Sequence, residues 1–222
     1  MNGGIRIRNI ISRRVGRCLV FLSLYFTFVI PCAFPQLGET ASSSGSARQL
    51  RFEVSDFQDP QTKRWIHLSC EFDYTYRAKM ENVITALWDF KDSPKTYSRV
   101  EAVRVISDTG TVAVTEQRTG IRIFGFAFIS KLVLRNALVR RGPGAATFSY
   151  ESIETDGSCL STTGAWEMED RSDTSGPATY IRFTLDSYVE PRFPGQATIM
   201  RGFGAADIKK VIRELGQSIL RS

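Results

Sequence analysis

Four cysteines and one histidine are the side chains of this 222-residue chain best suited to nucleophilic or metal chemistry, and their spacing favours neither. No CxxC pair or Cys/His cluster supplies the grouped donors a zinc site needs. His67 stands on the polar side of an alternating segment, where an exposed or structural imidazole outweighs a general base. With one histidine, a Ser-His-Asp arrangement can run only through that residue. Neither Cys70 nor Cys159 has an activating neighbour in sequence. Gly142-Pro143-Gly144 reads as a hairpin turn, and Gly202-Phe203-Gly204 lacks the preceding strand and spacing of a dinucleotide fingerprint. The residues thus nominate no catalytic group, metal ligand or cofactor.

Glu116 and Arg118 lie two apart beside Val112 and Val114, hence on one face of a strand. If that face is internal, they are a charged pair able to orient a polar head group. If it is external, they are solvated and contribute little.

The net charge of +6 comes mostly from the N-terminus. Residues 1–36 hold five arginines and no acid; the remainder has 24 basic and 23 acidic residues. A nucleic-acid surface loses its support, because phosphate contact needs clustered cations. Arginines, then the apolar run Leu19–Ile30, then Pro31, Cys32, Ala33 and Pro35 make residues 1–35 a signal peptide, with an uncleaved membrane anchor as the alternative. The run is short for a membrane span of about 30 Å. Export to the periplasm, the outside or the cell envelope is therefore expected. Cys32 resembles a lipidation site only faintly, since Pro31 replaces the small residue before it. Residues 36–50, rich in Ser, Gly, Ala and Thr, read as a flexible linker, and 51–222 as one domain.

Within that domain Trp65–Arg77 alternates, with Ile66, Leu68, Cys70, Phe72, Tyr74 and Tyr76 on one side. Val83, Ile84, Leu87 and Trp88 then recur at helical spacing, and Pro94 suits the start of a second short helix. Six strands follow, over 100–107, 111–119, 127–139, 146–155, 159–168 and 178–188, separated by Asp108-Thr109-Gly110, Arg141–Gly144, Asp156-Gly157 and a polar loop. Ile208, Val211/Ile212, Leu215 and Ile219 mark a long amphipathic helix at the end. Tightly connected strands pair antiparallel. The expected class is α+β: a curved seven-stranded antiparallel sheet wrapped round a long C-terminal helix, with two short helices after the first strand.

Three stretches carry a resemblance. Val83–Pro94 resembles a helix and Asp-Phe-x-x-Ser-Pro-type turn, Gly125-Phe126 the region before a long fourth strand, and Gly164-Ala165-Trp166 a G-x-W strand. Together they resemble the START / polyketide cyclase-like / Bet v 1-like (SRPBCC) superfamily, with its helix-grip fold, over roughly 65–220. The resemblance implies a cavity between sheet and terminal helix that holds a lipid or another hydrophobic small molecule. Phe128, Phe148, Trp166, Phe183 and Phe203, with Glu116 and Arg118 as polar members, are its candidate lining; Gly202, Gly204 and Gly216 would leave gaps. The alternative is a solid core in which those rings touch. Three functions follow: an exported binding protein for an apolar molecule, a cyclase-like enzyme, or a protein-interaction module without ligand.

Overall fold

The structure, a computed structural model, describes residues 47–58, 63–123 and 126–221, leaving aside the side chains of 121–123 and 126–128. The leader, most of the linker, Cys18, Cys32 and Gly125 lie outside the described residues, as does the side chain of Phe128.

Strand alternation and tight turns build a single antiparallel sheet. Its strands are β1 (Arg48–Gln58), β2 (Arg64–Tyr76), β3 (Val100–Asp108), β4 (Val112–Ile123), β5 (Phe126–Arg140), β6 (Ala145–Thr155), β7 (Cys159–Asp170) and β8 (Thr179–Val189). Across the sheet they run β1-β2-β8-β7-β6-β5-β4-β3. Between β2 and β3 lie α1 (Met80–Trp88) and α2 (Ser93–Thr96), and α3 (Gln196–Ile219) closes the chain. The sheet has eight strands where sequence reading expects seven. The additional one, β1, starts at Arg48 inside the segment read as linker and pairs with β2 from Arg48↔Asp73 to Gln58↔Arg64.

The turn glycines are required by geometry. Gly110 and Gly157 have φ of 81° and 84°, a region open to few other residues, and they close the β3–β4 and β6–β7 hairpins. Asp108 Oδ1 accepts the Gly110 N–H at 2.7 Å, fixing the first of these turns.

Helix α3 buries Ile208, Ile212, Leu215 and Ile219 against the sheet. Each such side chain contributes about 1.5–3 kcal/mol when fully buried. That outweighs the roughly 0.5–1 kcal/mol cost of each interior glycine. Two of the three helical glycines are contact points, not gaps. A Cβ on Gly204 would meet the Phe52 ring of β1 at 2.5 Å, and one on Gly216 the Tyr76 ring of β2 at 3.1 Å. Sheet rings occupy these notches, while nothing approaches Gly202. The grip of helix on sheet is thus made at β1 and β2.

Candidate functional site

On the helix-facing side of the sheet, two adjacent cross-strand rows differ in bulk. The first runs Phe72–Phe183–Trp166–Phe148–Leu138. It is filled: Trp166 and Phe183 lie 4.5 Å apart between centroids, and Phe148 meets Trp88 at 6.0 Å and Phe90 at 6.5 Å. These rings form solid core beneath α1.

The second row runs Phe52–Cys70–Leu185–Gly164–Tyr150–Asn136–Ala113. Here Cys, Gly, Asn and Ala replace aromatic bulk. Phe52, Leu185 and Tyr150 are packed against the core yet only half-buried, as are Val103 and Val105 of β3 and Ala205 and Val211 of α3. The side chains of this second row are smaller, and several of their neighbours on β3 and α3 are only half-buried.

Its polar lining is uncharged. Tyr150 lies flat across β7, so close that a Cβ on Gly164 would come 2.3 Å from its hydroxyl. Burial holds its phenol far above the usual tyrosine range, with Cys70 and Tyr97 close enough to add to the effect. Tyr97, following α2, is raised in the same way, with Glu214 adding to it. Burial pushes the Cys70 thiol up to about 12. Among the described residues neither Tyr97 nor Tyr150 finds a hydrogen-bond partner for its hydroxyl, and Thr147 Oγ1 is a fully buried side-chain oxygen without one. Beside Tyr150, Asn136 is buried and donates to Thr115 Oγ1 at 3.1 Å, which also accepts from Gln117 at 3.2 Å. Cys70 and Cys159 are both free and buried.

Three charged groups border this region. Arg99, at the start of β3, meets Asp207 of α3, with Glu214 nearby. Burial lowers the guanidinium to about 10 against the pull of that carboxylate. Its charge is already balanced by α3.

The structure brings Phe148, Trp166 and Phe183 together, in the first, filled row and not in the second. Phe203 is 71% exposed on α3 and lines no enclosed space. Glu116 does not pair with Arg118. Its carboxylate accepts from Lys131 at 2.9 Å and Arg104 at 3.1 Å across neighbouring strands, and both hold it below the usual carboxylate range. Arg118 is exposed, so this pair of positions belongs to the outer face. His67 is also outside, bonded to Asp186 at 2.8 Å and stacked on Tyr188 at 4.4 Å. A recess of about 440 Å³ on the outer side is lined by Arg48, Asp73, Arg77, Pro177 and Tyr180. Its floor is a satisfied pair, with Asp73 accepting from Arg48 at 2.6 Å and Tyr180 at 3.2 Å, and it offers a guest no open carboxylate.

Tyr150, Tyr97 and Asn136 escape sequence reading. The available signal is Gly164: a glycine inside a strand marks a close approach, here of the Tyr150 ring.

No family model matches the chain, and no curated protein matches it by sequence. Solved structures do. The STAR-related lipid transfer protein of Xanthomonas axonopodis superposes with a TM-score of 0.54 at 13% identity, over 75% of this chain and 98% of that one. The ZhuI aromatase/cyclase of Streptomyces sp. R1128 gives 0.51 at 17% identity, over 68% and 93%. Human STARD10 gives 0.51 at 12%, over 82% and 72%. At these identities the likeness is one of architecture. Eight antiparallel strands, two short helices and a gripping terminal helix give this chain the helix-grip fold seen in START and aromatase/cyclase proteins.

Proposed function

We propose that this chain is an exported binding protein for an apolar small molecule or lipid, held between the sheet and α3. The observation that carries the reading is the second row, where Cys70, Gly164, Asn136 and Ala113 stand in place of the rings found one row away. The half-buried Leu185, Val103, Val105, Ala205 and Val211 supply an apolar wall. Pockets for small molecules combine such walls with a few convergent polar groups, and Tyr97, Tyr150 and Asn136 have that character. A lipid transfer protein among the structural neighbours supports the same direction. Export rests on the arginine-flanked apolar run of residues 1–35.

Native mass spectrometry of the full chain, gently isolated from an expressing cell's envelope and external fractions, tests both parts. A retained lipid-sized mass, lost on solvent extraction, is expected. A chain that carries no guest and takes up none from a panel of apolar compounds ends the reading. Recovery of the protein in the cytoplasm alone ends the export part.

A further inference from the structure

Tyr150, Tyr97, Asn136 and Cys70, along and beside the second row, share one property: none carries charge. Tyr150 and Tyr97 present phenol hydroxyls without partners among the described residues. Asn136 presents an amide tied through its nitrogen to Thr115. Cys70 sits two positions along the same row from Gly164, over which the Tyr150 ring lies. The guanidinium at the border, Arg99, is engaged by Asp207 and faces Glu214, so an anion there meets two carboxylates.

A buried ion needs a counter-charge, and leaving it without one costs far more than leaving a neutral polar group unpaired. A phenol hydroxyl, by contrast, pairs readily with a neutral oxygen. We infer that the interior holds the uncharged oxygen end of its guest, a hydroxyl or carbonyl, at the Tyr150 hydroxyl with Tyr97 beside it, and discriminates against guests that end in a charge. The inference rests on the binding reading above and names its ligand class: neutral oxygen-bearing apolar molecules, as against fatty acids, long-chain amines or phospholipids.

The test uses the full chain and pyrene, a hydrocarbon that reports uptake by its fluorescence. Hexadecanol, palmitate and hexadecylamine then compete for the site. Hexadecanol is expected to displace pyrene at the lowest concentration. Tyr150→Phe keeps the ring and removes the oxygen, and is expected to weaken hexadecanol about three- to ten-fold relative to pyrene, the worth of one hydrogen bond. If Tyr150→Phe takes up no pyrene, Tyr97→Phe replaces it and must show the same selective loss. Pyrene uptake with palmitate or hexadecylamine as the best competitor overturns the head-group assignment and leaves the binding reading standing. So does unchanged hexadecanol affinity in both variants. Absence of any uptake by the unaltered chain removes the binding reading and the assignment together.

Discussion

The Tyr76 hydroxyl donates a 2.7 Å hydrogen bond to the Ile212 carbonyl, and the same ring rests on Gly216 one turn further along α3. One side chain of β2 thus fixes both the height and the axial position of the helix over the sheet. Tyr76 is buried, and its phenol is raised well above the usual range by that burial, so the bond is made by a neutral donor.

Tyr76→Phe keeps the ring seated on Gly216 and deletes the bond. A loss of about 1 kcal/mol is expected, the net worth of one buried hydrogen bond. Urea unfolding reads it as a lower midpoint at unchanged slope; an unaltered midpoint would show that the bond does not hold the helix.

Gly164→Ala strikes at the second row directly. Its Cβ would fall 2.3 Å from the Tyr150 hydroxyl and 2.7 Å from the Thr184 carbonyl oxygen. The backbone oxygen cannot swing aside as a side chain can, so a loss of about 1–3 kcal/mol is expected. Thermal unfolding checks it, and a variant as stable as the parent would mean that β7 and β8 shift freely here.

Thr147→Val runs the other way. Thr147 Oγ1 is fully buried without a hydrogen-bond partner, and valine replaces it with a methyl group of nearly the same shape. Removing an unsatisfied buried hydroxyl recovers part of its desolvation cost, a gain of about 1 kcal/mol. A destabilised variant in the same unfolding measurement would reveal a partner for that oxygen.

Asp73 predicts a pH dependence. The Arg48 guanidinium holds its carboxyl below the ordinary aspartate range, against the opposing effect of burial. A group whose folded pKa is depressed stabilises the protein above its unfolded pKa, and that stability is lost as pH falls through the folded one. Asp73→Asn should therefore be less stable than the parent at pH 7, with the difference closing as pH drops below the carboxylate range. A gap that persists at pH 2 would assign the effect to packing.

The fold was legible wherever periodicity was clean. Alternation in β2 follows from its apolar residues sharing one face, and the Ile208–Ile212–Leu215–Ile219 stripe from burial along one side of α3, each leaving its period in the sequence. Strand β1 was hidden for a physical reason. It is an edge strand that buries little, with Phe52 and Val54 its half-buried residues, and its register shifts between Gln49 and Arg51. Edge position and a bulge both erase alternation. The site was less legible still. Phe148, Trp166 and Phe183 were recognisable as helix-facing, but whether rings touch or enclose space depends on which row faces which element. Tyr150 sits between Ser149 and Glu151, a setting that looks like surface until Gly164 is placed opposite.

The strand order has a consequence for how the chain is made. Strand β2 is synthesised well before its neighbour β8 and before the helix that presses on Tyr76. A nascent chain must therefore hold Phe72 and Tyr76 uncovered until both have been made. Such distant pairing makes folding slow and late.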